Sequence, residues 1–153
     1  MVNSLNCAAL AGDDSAMYCA TEDTSIGNAD GVLYRLGYDG SNPTIVASEL
    51  EMPSRVQASG GFVYWTDRSL SRMAADGTSK MTVAEWDTDY AVSNFIVDGN
   101  NIFYVYGGLK VMTITGQNVR SISTGASVRG YAIDSTHIYW SEDAGIYRAL
   151  KPD

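Results

Sequence analysis

Apolar and polar residues alternate along most of this chain in short runs, which is the pattern of β-strands with one buried face. Phe62–Asp67 is one such run, and Asn101–Tyr106 and His137–Glu142 repeat its arrangement around a central aromatic pair. Ala16–Thr21 is a more divergent copy. No long stretch has the period of an amphipathic helix. The pattern therefore predicts an all-β chain.

The repeated runs are evenly spaced. Their central aromatics lie about 40 residues apart, at Tyr18, Tyr64, Phe103 and Tyr139. An apolar run precedes each aromatic run and two further short strands follow most of them, so one unit consists of strands A, B, C and D joined by hairpin turns. A period near 40 residues with four strands per unit is typical of a β-propeller.

The C–D turns support this organisation. They contain Asp39-Gly40, Asp76-Gly77 or Thr115-Gly116, where glycine supplies the positive φ that a tight hairpin requires. We expect one propeller domain over residues 1–153. Its repeats are predicted at residues 6–48, 54–84, 93–123 and 128–153.

The fourth unit is incomplete, since strand D is missing after strand C. Met1–Leu5 could replace it only through a strained, very short connection to strand A. Three arrangements remain open: a four-bladed ring with a three-stranded last blade, half of an eight-bladed ring made by two copies, or a piece of a longer protein. An open fan would expose apolar faces at both ends, which favours a homo-oligomer, and a dimer is expected.

The repeated aromatics are predicted to fill the gaps between neighbouring blades. Large side chains at one fixed strand-B position would serve this purpose at Tyr64, Phe103 and Tyr139. The next residue of each strand alternates to the opposite face, and these residues are Trp65, Tyr104 and Trp140.

The charge balance excludes several classes of partner. Ten basic and 18 acidic residues give a net charge of −8, which disfavours nucleic acid and anionic membrane surfaces because both need clustered Lys and Arg. No apolar run is long enough for a membrane helix. Met1-Val2-Asn3-Ser4 does not have the basic and apolar segments of a signal peptide.

The two cysteines lie close together in the first unit. Cys7 precedes the A–B hairpin and Cys19 lies on strand B. Pairing Leu10 with Met17 would place Ala8 opposite Cys19 and Cys7 one residue away. A disulfide would indicate an oxidising compartment, extracellular or periplasmic; the alternative is two buried thiols.

Several motifs resemble one known family. Tyr64-Trp65-Thr66-Asp67 is identical to the YWTD motif, and Leu70–Met73 with Asp76-Gly77 resembles the rest of the LDL-receptor class B repeat. Tyr139–Glu142 and Ile146–Arg148 resemble the same motif in the fourth unit, whereas the first and third units depart from it.

This resemblance implies a fold, a location and a role. YWTD propellers are extracellular, have six blades and bind other proteins; the four units here depart from that number. In the family the Thr and Asp of the motif tie blades together. The resemblance therefore implies structural roles for Thr66, Asp67, Ser141 and Glu142.

In a propeller the D–A and B–C loops share one face, usually the ligand face, which we call the loop face. Eleven of the 18 acidic residues are predicted there. The basic residue expected beside them is chiefly Arg68. Such a face would attract cations or a basic partner, or would form a solvated acidic rim. The eleven are Glu22, Asp23, Asp30, Glu49, Glu51, Asp67, Glu85, Asp87, Asp89, Glu142 and Asp143.

Two loops on this face carry candidate binding residues. The first, Glu22–Gly31, offers oxygen ligands for calcium, although without the spacing of an EF-hand; these are Glu22, Asp23, Asn28 and Asp30. The second, Glu85–Tyr90, places aromatic rings beside carboxylates and could anchor a protein or stack on a sugar. Its candidates, with neighbours on the same face, are Trp86, Asp87, Asp89, Tyr90, Arg68 and Tyr106. Alternatively, Trp86 packs under its own loop.

The sequence contains little that indicates catalysis. His137, the only histidine, is predicted on the opposite face, and no nucleophile is paired with it in a recognisable order. The predicted channel strands are poor in the carboxylates that a lactonase-like metal site needs. The sequence therefore favours a non-enzymatic protein-binding module without a cofactor. The alternatives are a glycan-binding propeller that uses Trp86 and Tyr90, and a metal-dependent hydrolase.

Overall fold

The structure is a computed structural model, and it describes residues 5–21, 30–51, 53–86, 92, 94–123, 125 and 127–152. All regular structure in these residues is β-strand, in four antiparallel sheets. The strands are β1 (Cys7–Gly12), β2 (Met17–Thr21), β3 (Asp30–Leu36), β4 (Thr44–Glu51), β5 (Arg55–Ser59), β6 (Phe62–Thr66), β7 (Ser69–Ala74), β8 (Met81–Glu85), β9 (Phe95–Asp98), β10 (Asn101–Val105), β11 (Leu109–Thr113), β12 (Arg120–Ser121), β13 (Gly130–Ile133), β14 (His137–Glu142) and β15 (Gly145–Leu150).

Each sheet is one repeat of the sequence. Blades 1, 2 and 3 consist of β1–β4, β5–β8 and β9–β12 in chain order, and blade 4 consists of β13–β15. Contacts of β1 with β5, and of β5 with β9, place the A strands innermost. The fold is a β-propeller, as the repeat predicted, and the strands described for blade 4 do not include a strand D.

The strand registers give every blade two distinct faces. The forward face is turned towards the next blade, and its central cross-strand pair is Tyr18–Arg35 in blade 1, Tyr64–Arg72 in blade 2, Phe103–Val111 in blade 3 and Tyr139–Arg148 in blade 4. The backward face is turned towards the preceding blade, and its corresponding pair joins strands A and B. These pairs are Leu10–Cys19, Val56–Trp65, Phe95–Tyr104 and Tyr131–Trp140.

Three apolar clusters fill the gaps between successive blades. Tyr18 and Trp65 are buried between blades 1 and 2, Tyr64 and Tyr104 between blades 2 and 3, and Phe103 and Ile138 between blades 3 and 4. Consecutive aromatics of one strand therefore lie on opposite faces of its blade, as the alternation predicted. Tyr139 differs from this prediction: it is only half-buried because no described blade covers the forward face of blade 4.

Polar side chains also connect the blades. The Gln57 amide donates to the Val97 carbonyl and accepts from the Val97 N–H, both at 3.0 Å, so it links the inner strands of blades 2 and 3. The Tyr131 hydroxyl donates to the Phe103 carbonyl at 3.0 Å. Lys151 forms an ion pair with Asp98 at 2.5 Å between blades 4 and 3.

The C–D turns of blades 2 and 3 lie against the preceding blade. A Cβ on Gly116 (φ 80°) would stand 1.9 Å from the Val83 carbonyl oxygen of blade 2, and one on Gly77 (φ 87°) would lie 3.6 Å from Val46 of blade 1. Gly99, at an A–B turn, also has positive φ but has open space around it. Gly116 is therefore required by packing as well as by conformation, whereas the contact at Gly77 is an ordinary van der Waals distance.

The cysteines form a disulfide, Cys7–Cys19, with Cα atoms 5.4 Å apart. The predicted pairing of Leu10 with Met17 is wrong: Leu10 faces Cys19, and Met17 faces Gly12. An irregularity in β1 between Cys7 and Ala9 shifts the register and brings Cys7 within reach of Cys19.

The fan is open in the described residues. The three apolar clusters join blades 1 to 2, 2 to 3 and 3 to 4, and among those residues no cluster joins blade 4 to blade 1. Of Met1–Leu5, which the sequence offered for a closing strand, only Leu5 belongs to the described residues. The described part of the chain also has no helix able to cross a membrane.

Candidate protein-binding face

The loop face is formed where the B strands end and the A strands begin. The B–C turns place Asp67 and Arg68 there in blade 2, Tyr106 in blade 3 and Asp143 in blade 4. Trp86 directly follows β8, the outermost strand of blade 2. The described candidates therefore share one face of the propeller.

An aromatic cluster lies on this face between blades 2 and 3. The ring centre of Trp86 is 6.2 Å from that of Tyr104 and 6.3 Å from that of Tyr106. The Lys110 Nζ atom lies 5.4 Å from the centre of the Tyr106 ring, a cation–π distance. We call Trp86, Tyr104, Tyr106 and Lys110 the aromatic cluster.

The members of the cluster differ in exposure. Tyr104 is buried, and this desolvation raises the pKa of its hydroxyl. Trp86 and Tyr106 are half-buried and pack on the apolar cluster between blades 2 and 3. Trp86 is therefore fixed by the next blade rather than only by its own loop, while part of its ring remains available to a partner.

Arginines pair with part of the acidic rim. Arg68 forms an ion pair with Glu51, linking the B–C turn of blade 2 to the end of β4. Arg129 pairs with Asp143 at 2.6 Å on blade 4. Arg129 directly precedes β13 and adds positive charge to this face beyond the predicted Arg68.

The YWTD-like residues have hydrogen-bonding roles within the fold. Thr66 is fully buried, and its hydroxyl lies 3.1 Å from that of Ser54, which precedes β5. An Asp67 oxygen accepts from Ser69 N–H at 2.8 Å within its own turn.

The bonds of Thr66 and Asp67 lie within blade 2, whereas the motif of the fourth unit also reaches the preceding blade. Glu142 accepts from the Ser123 hydroxyl of blade 3 and from Trp140 Nε1 at 3.0 Å. Ser141 donates to the Gly130 carbonyl at 3.5 Å. Several acids predicted on the loop face are thus engaged within the protein.

Other predicted site residues lie outside the described part of the chain. These include the calcium candidates Glu22, Asp23 and Asn28, the side chain of Asp30, and the loop residues Asp87, Asp89 and Tyr90. Within the described residues, no group of three metal-ligating side chains is brought together.

The opposite face carries His137, whose Nδ1 atom lies 2.7 Å from the Thr136 hydroxyl. Neighbouring Asp134 accepts from the Thr136 and His137 N–H groups at 2.7 and 2.6 Å and from the Tyr139 hydroxyl at 2.8 Å. These donors hold the pKa of Asp134 well below its usual value. His137 is thus part of a turn network on the face away from the aromatic cluster.

Comparison with solved structures finds chains of similar fold. A crystal structure of a nidogen/laminin complex matches with a TM-score of 0.66 and 19% identity, over 93% of this chain and 59% of that one. The computationally designed Ika8 protein matches with a TM-score of 0.62 and 12% identity, over 94% of this chain and 45% of that one. The chain spans about three fifths of the first of these proteins and under half of the second.

At these identities the likeness establishes the fold alone. No family model matches the chain, and no curated protein matches it either.

Two contacts of this face, Lys110 with Tyr106 and Trp86 with Tyr104, could not be predicted from local sequence patterns. Lys110 sits one residue from the position where other units carry arginine, and its approach to Tyr106 depends on the tight Gly107-Gly108 turn. The proximity of Trp86 to Tyr104 depends on how two blades stack. The contact between Trp86 and Tyr106 agrees with the prediction that both lie on this face.

Proposed function

We propose that this propeller is a non-enzymatic module that binds another protein through its loop face, as the YWTD propellers that it resembles do. The observation that carries the proposal is the aromatic cluster on that face. Trp86 and Tyr106 are anchored by the core and are still partly exposed, which is the condition of residues that dominate protein interfaces. The structural neighbour crystallised in a nidogen/laminin complex adds support for a protein partner.

The same proposal includes an extracellular or periplasmic location. The Cys7–Cys19 disulfide supports it, because disulfides persist in oxidising compartments. It also includes self-association into a homodimer, since both ends of the fan are uncovered in the described residues.

A panel of purified secreted proteins, immobilised and probed with the labelled propeller, tests the binding role. We expect at least one saturable binder whose affinity falls about tenfold or more with Trp86→Ala, as for an aromatic hot spot. Val119→Ala is the matched control, because Val119 is an exposed apolar residue beyond the C–D turn of blade 3. Binding that is insensitive to Trp86→Ala would exclude the aromatic cluster as the binding site.

A glycan ligand is the second candidate, favoured by the Trp86 and Tyr106 rings that offer a half-exposed stacking surface. A glycan array separates the two functions: a saturable glycan signal that Trp86→Ala removes would replace the protein-binding proposal. A divalent ion bound at one equivalent would instead favour a metal-dependent hydrolase.

A further inference from the structure

Most of the large apolar side chains that are exposed belong to the two end blades of the fan. Seven large apolar side chains are exposed among the described residues, and six of them belong to blade 1 or blade 4. On the forward face of blade 4, Ile146 is 82% and Leu150 is 72% exposed. On the backward face of blade 1, Leu10 is 59% and Ile45 is 61% exposed. Exposed apolar side chains concentrated on two sheet faces mark surfaces for association.

The free face of blade 4 repeats an arrangement that is buried elsewhere in the same chain. Tyr139 pairs directly across strands with Arg148, as Tyr18 does with Arg35 and Tyr64 with Arg72. The next blade covers the tyrosines of blades 1 and 2, leaving Tyr18 0% and Tyr64 1% exposed. Blade 4 therefore presents a face of the type that two internal contacts of this chain bury.

The free face of blade 1 matches the opposite side of those contacts. Leu10, Cys19, Tyr34 and Ile45 form one continuous cross-strand row. The row has the register of Val56–Trp65 in blade 2, which packs against blade 1. Each end face thus corresponds to one side of the internal contact, so the two faces have the arrangement needed to pack on each other.

The accessible surface of this chain is larger than that expected for a compact monomer, as uncovered end faces would produce. A compact monomer of 16.5 kDa exposes about 7,600 Å², whereas this chain exposes 8842 Å². The excess, roughly 1,200 Å² on one chain, lies between the areas that one and two standard interfaces would bury on it, at about 800 Å² per partner.

We infer that the forward face of blade 4 packs on the backward face of blade 1 of a second copy, head to tail, so that two chains close one eight-bladed ring. This inference rests on the proposed homodimer and specifies its contact surfaces. Heterologous contacts of this kind close into a ring when the rotation per copy is a whole fraction of a turn. Two copies would bury both end faces of each chain.

One hydrogen bond of the interface follows from the internal contacts. The Tyr18 hydroxyl donates to the Ala75 carbonyl in the C–D turn of the next blade at 3.2 Å. Tyr139 is the counterpart of Tyr18, and Tyr38 holds the position of Ala75 in the Asp-Gly turn of blade 1. The Tyr18 hydroxyl also lies 3.1 Å from an Asp13 oxygen, as that of Tyr139 lies 2.8 Å from one of Asp134. We therefore expect the Tyr139 hydroxyl to share its proton between Asp134 and the Tyr38 carbonyl of the second copy.

Light scattering coupled to size exclusion tests the assembly with the full chain. The wild type should have twice the 16.5 kDa mass of one chain. Ile146→Lys on blade 4 and Ile45→Lys on blade 1 should each give a monomer, because either substitution damages both interfaces of a symmetric ring. Val119→Lys, a matched exposed apolar site outside the end faces, should leave the dimer intact.

Mixing the two lysine variants tests the head-to-tail arrangement. A mixed pair regains one interface in which both faces are wild type, so dimers should reappear in the mixture. If the copies joined through identical faces, one of the two variants would remain a dimer alone, and this result would overturn the inference. A wild-type monomer at all concentrations would also overturn it, leaving the end faces to further blades of a longer chain.

Tyr139→Phe tests the proposed interfacial hydrogen bond by itself. Losing one interfacial hydrogen bond should weaken the dimer about five- to tenfold, and an unchanged dissociation constant would refute the assigned contact. Circular dichroism spectra of all variants establish that they are folded. None of these substitutions lies on the loop face, so a failure of this assembly and a failure of the partner-binding proposal can be distinguished.

Discussion

At the scale of single residues, two glycines with similar backbone conformations have different surroundings. Gly116 and Gly99 both have positive φ, which costs any residue with a Cβ about 1 kcal/mol or more. Only Gly116 also approaches a neighbouring backbone, the Val83 carbonyl of blade 2. Its replacement therefore combines conformational strain with a direct clash.

Alanine substitution separates these two effects. We expect Gly99→Ala to lower the free energy of unfolding by about 1 kcal/mol, and Gly116→Ala by about 3 kcal/mol or more, because blades 2 and 3 must move apart. Urea unfolding of both variants provides the measurement. Equal losses in the two variants would contradict the clash at Gly116.

The turn acid Asp134 predicts a pH-dependent effect. Its folded pKa is lowered by donors from Thr136, His137 and Tyr139, so the carboxylate contributes stability above its ordinary pKa of 3.8, which is lost as pH falls through the folded value. Asp134→Asn should therefore unfold at a lower temperature than the wild type at pH 7, and the gap should narrow below pH 3.8.

Asp14→Asn is the matched control, since Asp14 is an exposed acid in the corresponding A–B turn of blade 1. Its melting temperature should stay close to that of the wild type across the same pH series. An Asp134→Asn gap that is constant with pH would argue against the carboxylate as the stabilising group.

At the scale of elements, blades join through apolar faces supplemented by a few polar links. The Gln57 amide pairs with both backbone groups of Val97, in place of a strand neighbour. Val97 is only 5% exposed, so water cannot easily replace this partner. The link therefore fixes the inner strands of blades 2 and 3 in one relative position.

Gln57→Met tests how much this link contributes to the free energy of unfolding. It keeps the side-chain length but leaves the Val97 N–H and carbonyl unpaired, which should cost about 1–3 kcal/mol of unfolding free energy. Gln117→Met, at an exposed glutamine in the C–D turn of blade 3, should cost little. Chemical denaturation of the two variants provides the comparison, and similar small losses would mean that Val97 finds other partners.

The strands themselves could be predicted from the sequence because alternation and turn glycines act locally. β6, β10 and β14, for example, begin at the first residues of the predicted runs, Phe62, Asn101 and His137. The Gln57–Val97 link could not be predicted, because it depends on how two sheets stack. The A–B register of blade 1 was missed for a similar reason, since an irregularity between Cys7 and Ala9 interrupts the period-two count.

At the scale of the whole molecule, a shared interface couples stability to concentration. If two copies bury their end faces against one another, the folded dimer is favoured by mass action and its melting temperature should rise with protein concentration. Ile146→Lys should remove this dependence, whereas Val119→Lys should keep it. Differential scanning calorimetry over a concentration series would show this, and a wild-type melting temperature independent of concentration would count against the dimer.

The repeat number, and the absence of a strand D from blade 4 in the described residues, could be predicted at this scale, since both follow from counting motifs. The candidate site was predicted in part: Trp86, Tyr106 and Arg68 do lie on one face, but Arg68 is paired with Glu51. That pairing depends on the end of one blade meeting the turn of the next, which no local pattern encodes.

The contact between Gly116 and Val83 also has a geometric consequence. The C–D turns connect the two outer strands of each blade, so the backbone spacing there sets the wedge angle between successive blades, while the inner strands act as the pivot. The turn at Gly116 approaches the backbone of the preceding blade, whereas the turn at Gly77 approaches only a side chain. The number of blades in a full circle is therefore limited at the rim by glycine backbone, and a bulkier residue there would widen the wedge and favour a smaller ring.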